Sequence, residues 1–133
     1  MRQISIRTIV EGKVEGKAIV STTPISFLGG VDATTGKITD PENILFGESI
    51  KDKIFVFPEG QGSTVGSYVI YGLSINNVAP LAMIANQAET IVIAGAVLAE
   101  IPLVDQPDEN ILESIKSGDI VNIDTSKGII IIK

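Results

Sequence analysis

The stretch that decides the fold runs Lys53-Ile54-Phe55-Val56-Phe57-Pro58-Glu59-Gly60-Gln61-Gly62-Ser63-Thr64-Val65-Gly66-Ser67. Residues 53–57 are apolar and aromatic on consecutive positions, so both faces of a strand there must be covered, as in a parallel sheet. Glycines then interrupt the chain. From Ser63 to about Asn76 the apolar residues Val65, Tyr68, Val69, Gly72 and Leu73 recur at helical spacing, which predicts one apolar helix face. Residues 81–85 (LAMIA) read as a second buried strand. Strand, Gly-rich loop, helix and strand make a βαβ unit with a right-handed crossover.

Working outward, residues 88–100 predict a second crossover helix packed closely through Gly95, although the Thr-Ile-Val-Ile run alone would favour a strand. Residues 91–98 are expected in the core. Residues 101–104 (IPLV) follow as the next parallel strand, and residues 110–117 as a short helix ending before Gly118. Residues 119–124 alternate, with Val121 and Ile123 on one face, and turn through Lys127-Gly128 into Ile129-Ile130-Ile131-Ile132, a hairpin whose last strand needs a covered edge. Upstream, residues 16–21 are strand-like. Residues 22–47, rich in Gly, Pro, Asp and Thr, form a connection of a length usually reserved for function. The sum is an α/β chain built as a β/β/α domain, barrel-like or three-layered, with βαβ crossovers and a C-terminal hairpin.

Composition narrows the chemistry. The 133 residues fit one domain, 1–133, and 44% hydrophobic content supplies a core. A formal net charge of −6, from ten Lys and Arg against sixteen Asp and Glu, opposes binding to nucleic acid or an anionic membrane. The absence of His and Cys excludes a Ser-His-Asp triad, a thiolate nucleophile, a disulfide and cysteine-ligated iron–sulfur. No cofactor or metal is expected on this chain. The N-terminal residues lack an apolar leader, and the longest uncharged apolar stretch, residues 90–99, is about half a membrane span. A soluble cytoplasmic protein is expected.

The candidate site is the loop Gly60-Gln61-Gly62-Ser63-Thr64-Val65-Gly66-Ser67. Glycines there bring backbone N–H groups and hydroxyls to a helix N-terminus, where anions are favoured. Aimed donors in a water-excluded cleft would let Ser63 take a proton without a histidine beside it. Equally, Ser63 or Thr64 would serve simply as a helix cap. The loop is neither a Walker A motif, lacking its Lys, nor a dinucleotide fingerprint, since Val65 stands where the third glycine belongs. The second candidate is Phe27-Leu28-Gly29-Gly30-Val31-Asp32. Its apolar residues and glycines suit an active-site wall or a partner groove, or else Phe27 and Leu28 cover the chain's own core and Asp32 forms a turn. Asp105, Asp108 and Glu109 imitate a metal cluster but fit the N-terminus of the following helix better.

These motifs, with Ala94-Gly95-Ala96, Ile101-Pro102-Leu103-Val104-Asp105 and Gly118-Asp119 in the same order and similar spacing, resemble the small subunit of aconitase X across nearly the whole chain. That family includes phosphomevalonate dehydratase in archaea, and is distantly similar to the swivelling domain of aconitase and isopropylmalate isomerase. The resemblance implies a swivelling domain, a large subunit carrying an iron–sulfur cluster, and Ser63 as the catalytic base. It also implies substrate contact through Gly62, Thr64 and Ser67, with Phe27, Gly29, Gly30 and Asp32 lining the site or the partner. The implied substrate is a phosphorylated hydroxy acid, (R)-5-phosphomevalonate, dehydrated to trans-anhydromevalonate 5-phosphate in an altered mevalonate route. Unlike aconitase, the chain has Thr64 and Val65, not a carboxylate-gripping Arg, after its serine. A dehydratase of another hydroxy acid such as hydroxyproline, or a non-catalytic module holding a phosphate-bearing ligand, remains open.

Overall fold

The computed structural model describes residues 2–62 and 64–133. Nine strands are β1 (Arg2–Ser5), β2 (Arg7–Val10), β3 (Lys13–Val20), β4 (Ile25–Ser26), β5 (Ile54–Gln61), β6 (Ala82–Gln87), β7 (Leu103–Asp105), β8 (Ile120–Asp124) and β9 (Ile129–Ile132). The helical segments are α1 (Phe27–Gly30), α2 (Gly66–Ile75), α3 (Thr90–Ala99) and α4 (Ile111–Ser114).

The strands run in the order β1-β9-β8-β3-β5-β6-β7-β2, with β4 attached to the end of β5. From β3 to β7 the pairing is parallel; β8, β9, β1 and β2 join antiparallel. The two ends of this order, β1 and β2, are separated in sequence only by Ile6. One N-terminal segment therefore closes the sheet on itself, and the Ile6 N–H donates to the Gly128 carbonyl (3.0 Å) at the switch. β3 makes a similar corner, pairing with β8 through residues 13–17 and with β5 through residues 18–20.

The parallel strands are buried on both faces, as the unbroken apolar run 53–57 requires. Phe55, Phe57, Met83, Ala85 and Leu103 face Ile70 and Leu73 of α2 and Val92, Ala96 and Ala99 of α3. Ile54, Val56, Ala82, Ile84 and Val104 face Val121, Ile123, Ile130 and Ile132 of the hairpin. The result is antiparallel sheet, parallel sheet and helices in three layers. β9 lies between β1 and β8, so its tetra-isoleucine edge is paired on both sides.

Details of register depart from expectation. The buried face of α2 is Gly66, Ile70 and Leu73, while Val65 and Tyr68 are exposed, because α2 packs on α3 through Ile70 against Gly95 and on the α1 turn through Gly66. In α3 the core side is Val92, Gly95, Ala96 and Ala99, and Val97 and Leu98 face outward. α4 is a single turn capped by the Asn110 side chain, which accepts from the Leu112 N–H. The long connection is not structureless, because Val31, Ile38, Leu45 and Ile50 pass into the core.

Asp105 is also differently employed. It is fully buried at the end of β7, where it accepts a bidentate pair of hydrogen bonds from Arg7 of β2 (2.8 and 2.9 Å) and a third from the Ala88 N–H (2.9 Å). Hydrogen bonding and attraction to Asp105 hold the Arg7 pKa above its ordinary value. Register pairs these two residues directly across the strands, so the carboxylate fastens both the closing strand and the entrance to α3.

Two predictions follow from this packing. A Cβ on Gly95 would lie 2.7 Å from Ile70 Cδ1 and 2.8 Å from Ile70 Cβ, so Gly95→Ala forces α2 and α3 apart and costs about 1–3 kcal/mol by urea denaturation. The carboxylates of Asp124, Glu15 and Asp32 all have lowered pKa values, led respectively by hydrogen bonds from Ser126, Lys133 and Thr34. A depressed carboxylate stabilises the fold above its unfolded pKa and loses that contribution as pH falls through the folded value. With no histidine to titrate, stability should be level between about pH 6 and 8 and decline below about pH 4, with a shallower decline in Asp124→Asn.

Candidate functional site

β5 does not end where its apolar run ends. It continues as Pro58, Glu59, Gly60 and Gln61, and its last residues exchange neighbours, with Glu59 opposite Gln87 of β6 and Gly60 and Gln61 opposite Ile25 and Ser26 of β4. The chain then turns at Gly62 (φ +105°), a conformation that side-chain-bearing residues rarely adopt. A Cβ there would also sit 2.7 Å from Ser26 Oγ. The residue singled out as proton acceptor, Ser63, lies outside the described residues.

Beyond it, Thr64 contributes its carbonyl to the approach to α2, accepting from the Ser67 N–H (3.3 Å) and the Ser67 hydroxyl (2.8 Å). Thr64 is exposed and Ser67 half-buried. The Ser67 hydroxyl proton is thus committed to the loop, which makes Ser67 a brace of the helix start. Gly66 is buried against the α1 turn and Ile91, where a Cβ would meet Phe27 Cβ at 3.7 Å and Ile91 Cγ2 at 3.3 Å. The loop therefore lies at the carboxyl end of the parallel strands, the place where open α/β sheets present ligands.

The second candidate segment comes to the same place. Phe27 is 2% exposed and meets Phe55 (centroids 6.3 Å) and Phe57 (5.9 Å) edge-on. Its side chain belongs to the core, which leaves lining or docking to its neighbours. Leu28 points outward at 47% exposure. Gly29 has φ +86°, and its carbonyl and that of Gly30 accept from Thr39 Oγ1 (3.0 Å) and Thr39 N (2.9 Å). Asp32 folds onto its own turn: its carboxylate accepts from the Thr34 N–H (2.8 Å) and hydroxyl (2.7 Å), and its pKa is lowered, the Thr34 hydroxyl bond contributing most. Asp32 is a turn former here.

A cavity of about 510 Å3 adjoins the loop through Ile91 and is lined also by Arg7, Gln87, Glu89 and Thr90 at the start of α3. Arg7 carries no local signal for this end of the fold, since the strand it pairs with lies nearly a hundred residues away. Among the described residues no three Asp or Glu side chains converge as a metal site. With Cys and His absent from the sequence, the donor set does not fit an iron–sulfur cluster or a soft metal. Among the described residues no helix is long and apolar enough to cross a membrane.

Against known families, the sequence model of the aconitase X swivel domain matches residues 3–132. The chain belongs to the aconitase X swivel domain family. A relative from Thermococcus sibiricus named phosphomevalonate dehydratase small subunit is 54% identical over 92% of both chains. One of the same name from Methanococcoides burtonii is 49% identical over 96% of this chain and 93% of that one. The crystal structure of Thermococcus kodakaraensis aconitase X, holo-form, superposes with a TM-score of 0.95 at 50% identity, covering 100% of this chain and 99% of the matched chain. The swivel domain fold expected from the motifs is the fold observed.

The aconitase X swivel fold sets the loop on two supports, the β4 pairing and the first turn of α2. Gly62→Ala should strain only the segment between them. The expected cost is about 1–3 kcal/mol, with faster amide hydrogen exchange confined to residues 62–68 while β5 and β6 stay protected. Loss of protection throughout the sheet would show that the loop is part of the folding core instead.

Proposed function

We propose that this chain is the small subunit of a phosphomevalonate dehydratase, which removes water from (R)-5-phosphomevalonate to give trans-anhydromevalonate 5-phosphate in an altered mevalonate route. One observation carries the reading: a glycine-turned loop stands at the carboxyl end of doubly buried strands, in a chain about half identical, nearly end to end, to subunits of that name. Such a loop sets backbone beside a ligand on a rigid base.

In this reading Ser63 accepts the proton from the carbon next to the substrate's carboxylate. The C–H electron pair becomes the new C=C bond as the hydroxyl on the adjacent carbon departs. A serine alkoxide is a strong base that water would protonate at once, so the site must exclude water and offer donors where the charge sits. Gly62 and Thr64 supply backbone beside that position, and Ser67 braces the turn. The iron–sulfur cluster implied by the resemblance has no ligands on this chain, and belongs to the large subunit.

The exposed apolar side chains Leu28, Val65 and Tyr68 around the loop suit the large subunit's closure over it, which would provide the dry environment. The working unit is then a heteromer acting in the cytoplasm, and the isolated chain has no turnover. With ten Lys and Arg against sixteen Asp and Glu, the chain offers few clustered cations, which leaves phosphate recognition mainly to the partner.

The test is Ser63→Ala in the complex reconstituted anaerobically with its large subunit and assayed with 5-phosphomevalonate. Turnover should fall about 10²–10⁴-fold, with unchanged assembly by gel filtration and an unchanged melting temperature. Near-wild-type turnover would remove Ser63 from the base position.

A further inference from the structure

The proton-accepting loop needs something to hold it, and one side chain packed against it is Ser26. From β4, Ser26 pairs across the backbone with Gln61, and its Oγ occupies the space that a side chain on Gly62 would fill, 2.7 Å from the ideal Cβ position. The same hydroxyl donates to the Leu28 carbonyl (3.0 Å), two residues along its own chain. That bond shapes the irregular turn of α1, where Leu28 leaves helical geometry (ψ 115°) and Gly29 crosses to φ +86°. Farther along the loop, Gly66 rests on the other side of this turn, with the Leu28 nitrogen 3.9 Å and Phe27 Cβ 3.7 Å from its ideal Cβ position. Gly62 and Gly66 thus both rest on one turn, and Ser26 fixes the shape of that turn.

We infer that Ser26 is a positioning residue for the dehydration, setting where Gly62 and Gly66 stand through its hydroxyl bond to Leu28. The inference rests on the proposed role of Ser63. Thr39 holds the turn from its far side, donating to the Gly29 carbonyl, so loss of the Ser26 bond alters the geometry without unfolding the turn. A hydroxyl whose proton is bonded to a neighbouring carbonyl presents its lone pairs elsewhere, and is not itself the base.

Thr and Val have nearly the same shape and differ by the hydroxyl, so Ser26→Thr and Ser26→Val share any steric disturbance against Gly62. Each is assayed in the reconstituted complex with 5-phosphomevalonate, beside Ser63→Ala. The expected result is a kcat at least about 10-fold lower in Ser26→Val than in Ser26→Thr, at similar KM, since small misplacements of a reacting group reach about 10²-fold in rate. Equal kcat in the two variants, with Ser63→Ala inactive, overturns the role of Ser26 and leaves that of Ser63 standing. Full turnover in Ser63→Ala overturns both. A difference confined to KM, or one matched by an equal difference in melting temperature, assigns the Ser26 hydroxyl to binding or stability and also overturns the inference.

Discussion

Burial of β5 on both faces is the constraint that the remaining structure serves. Ile54, Phe55, Val56 and Phe57 have no solvent exposure at all, so one layer must be found for the odd residues and another for the even ones. Two helices supply the first, and the C-terminal hairpin with the N-terminal strand supplies the second. A strand sealed in this manner can present chemistry only at its ends. The glycine-rich extension of β5 is where the backbone first escapes from the two layers, and there, beyond its pairing with β3 and β6, it pairs with β4.

Closure is what makes the second layer possible. The hairpin alone could not cover the even-numbered face without leaving an isoleucine-rich edge to solvent. The segment from Arg2 to Val10 pairs with β9 at one end and β7 at the other, and the Arg7–Asp105 pair locks the second contact. Its three hydrogen bonds use the buried carboxylate's capacity well, the condition under which a buried charge is tolerated. An acidic residue that looked like a helix-start ornament is thereby a joint between the closing strand, the parallel sheet and α3.

How far the sequence was readable depends on how local each signal was. The βαβ core, the second crossover helix with Gly95 inside it, and the hairpin are written in runs of neighbouring residues, and each is present. β1, β2 and β4 were not read, because four polar-rich residues or two carry no period, and what makes them strands is a partner far off in the chain. The face of α2 differs from its spacing for a related reason: Tyr68 and Val65 match the apolar period, but the contact of Ile70 with Gly95, distant in sequence, turns them to solvent. At the candidate site, the loop and the α1 turn were both visible as glycine clusters, and their convergence was not, since it arises from the pairing of Ile25 and Ser26 with the end of β5. The roles of individual residues divided likewise. Phe27 is packed in the core and Asp32 accepts hydrogen bonds within its own turn, while Leu28 faces outward.

The pairing of Arg2 with Ile132 has a consequence for synthesis. β1 is made long before β9, the strand it pairs with, and β2 likewise waits for β7. Local pieces such as the crossover helices can form as the chain emerges, yet the layer behind β5 cannot be completed until the hairpin is out. Until then the even-numbered isoleucines and valines of the central strands lack their cover, so one face of the central sheet stays apolar and open while the chain is being made.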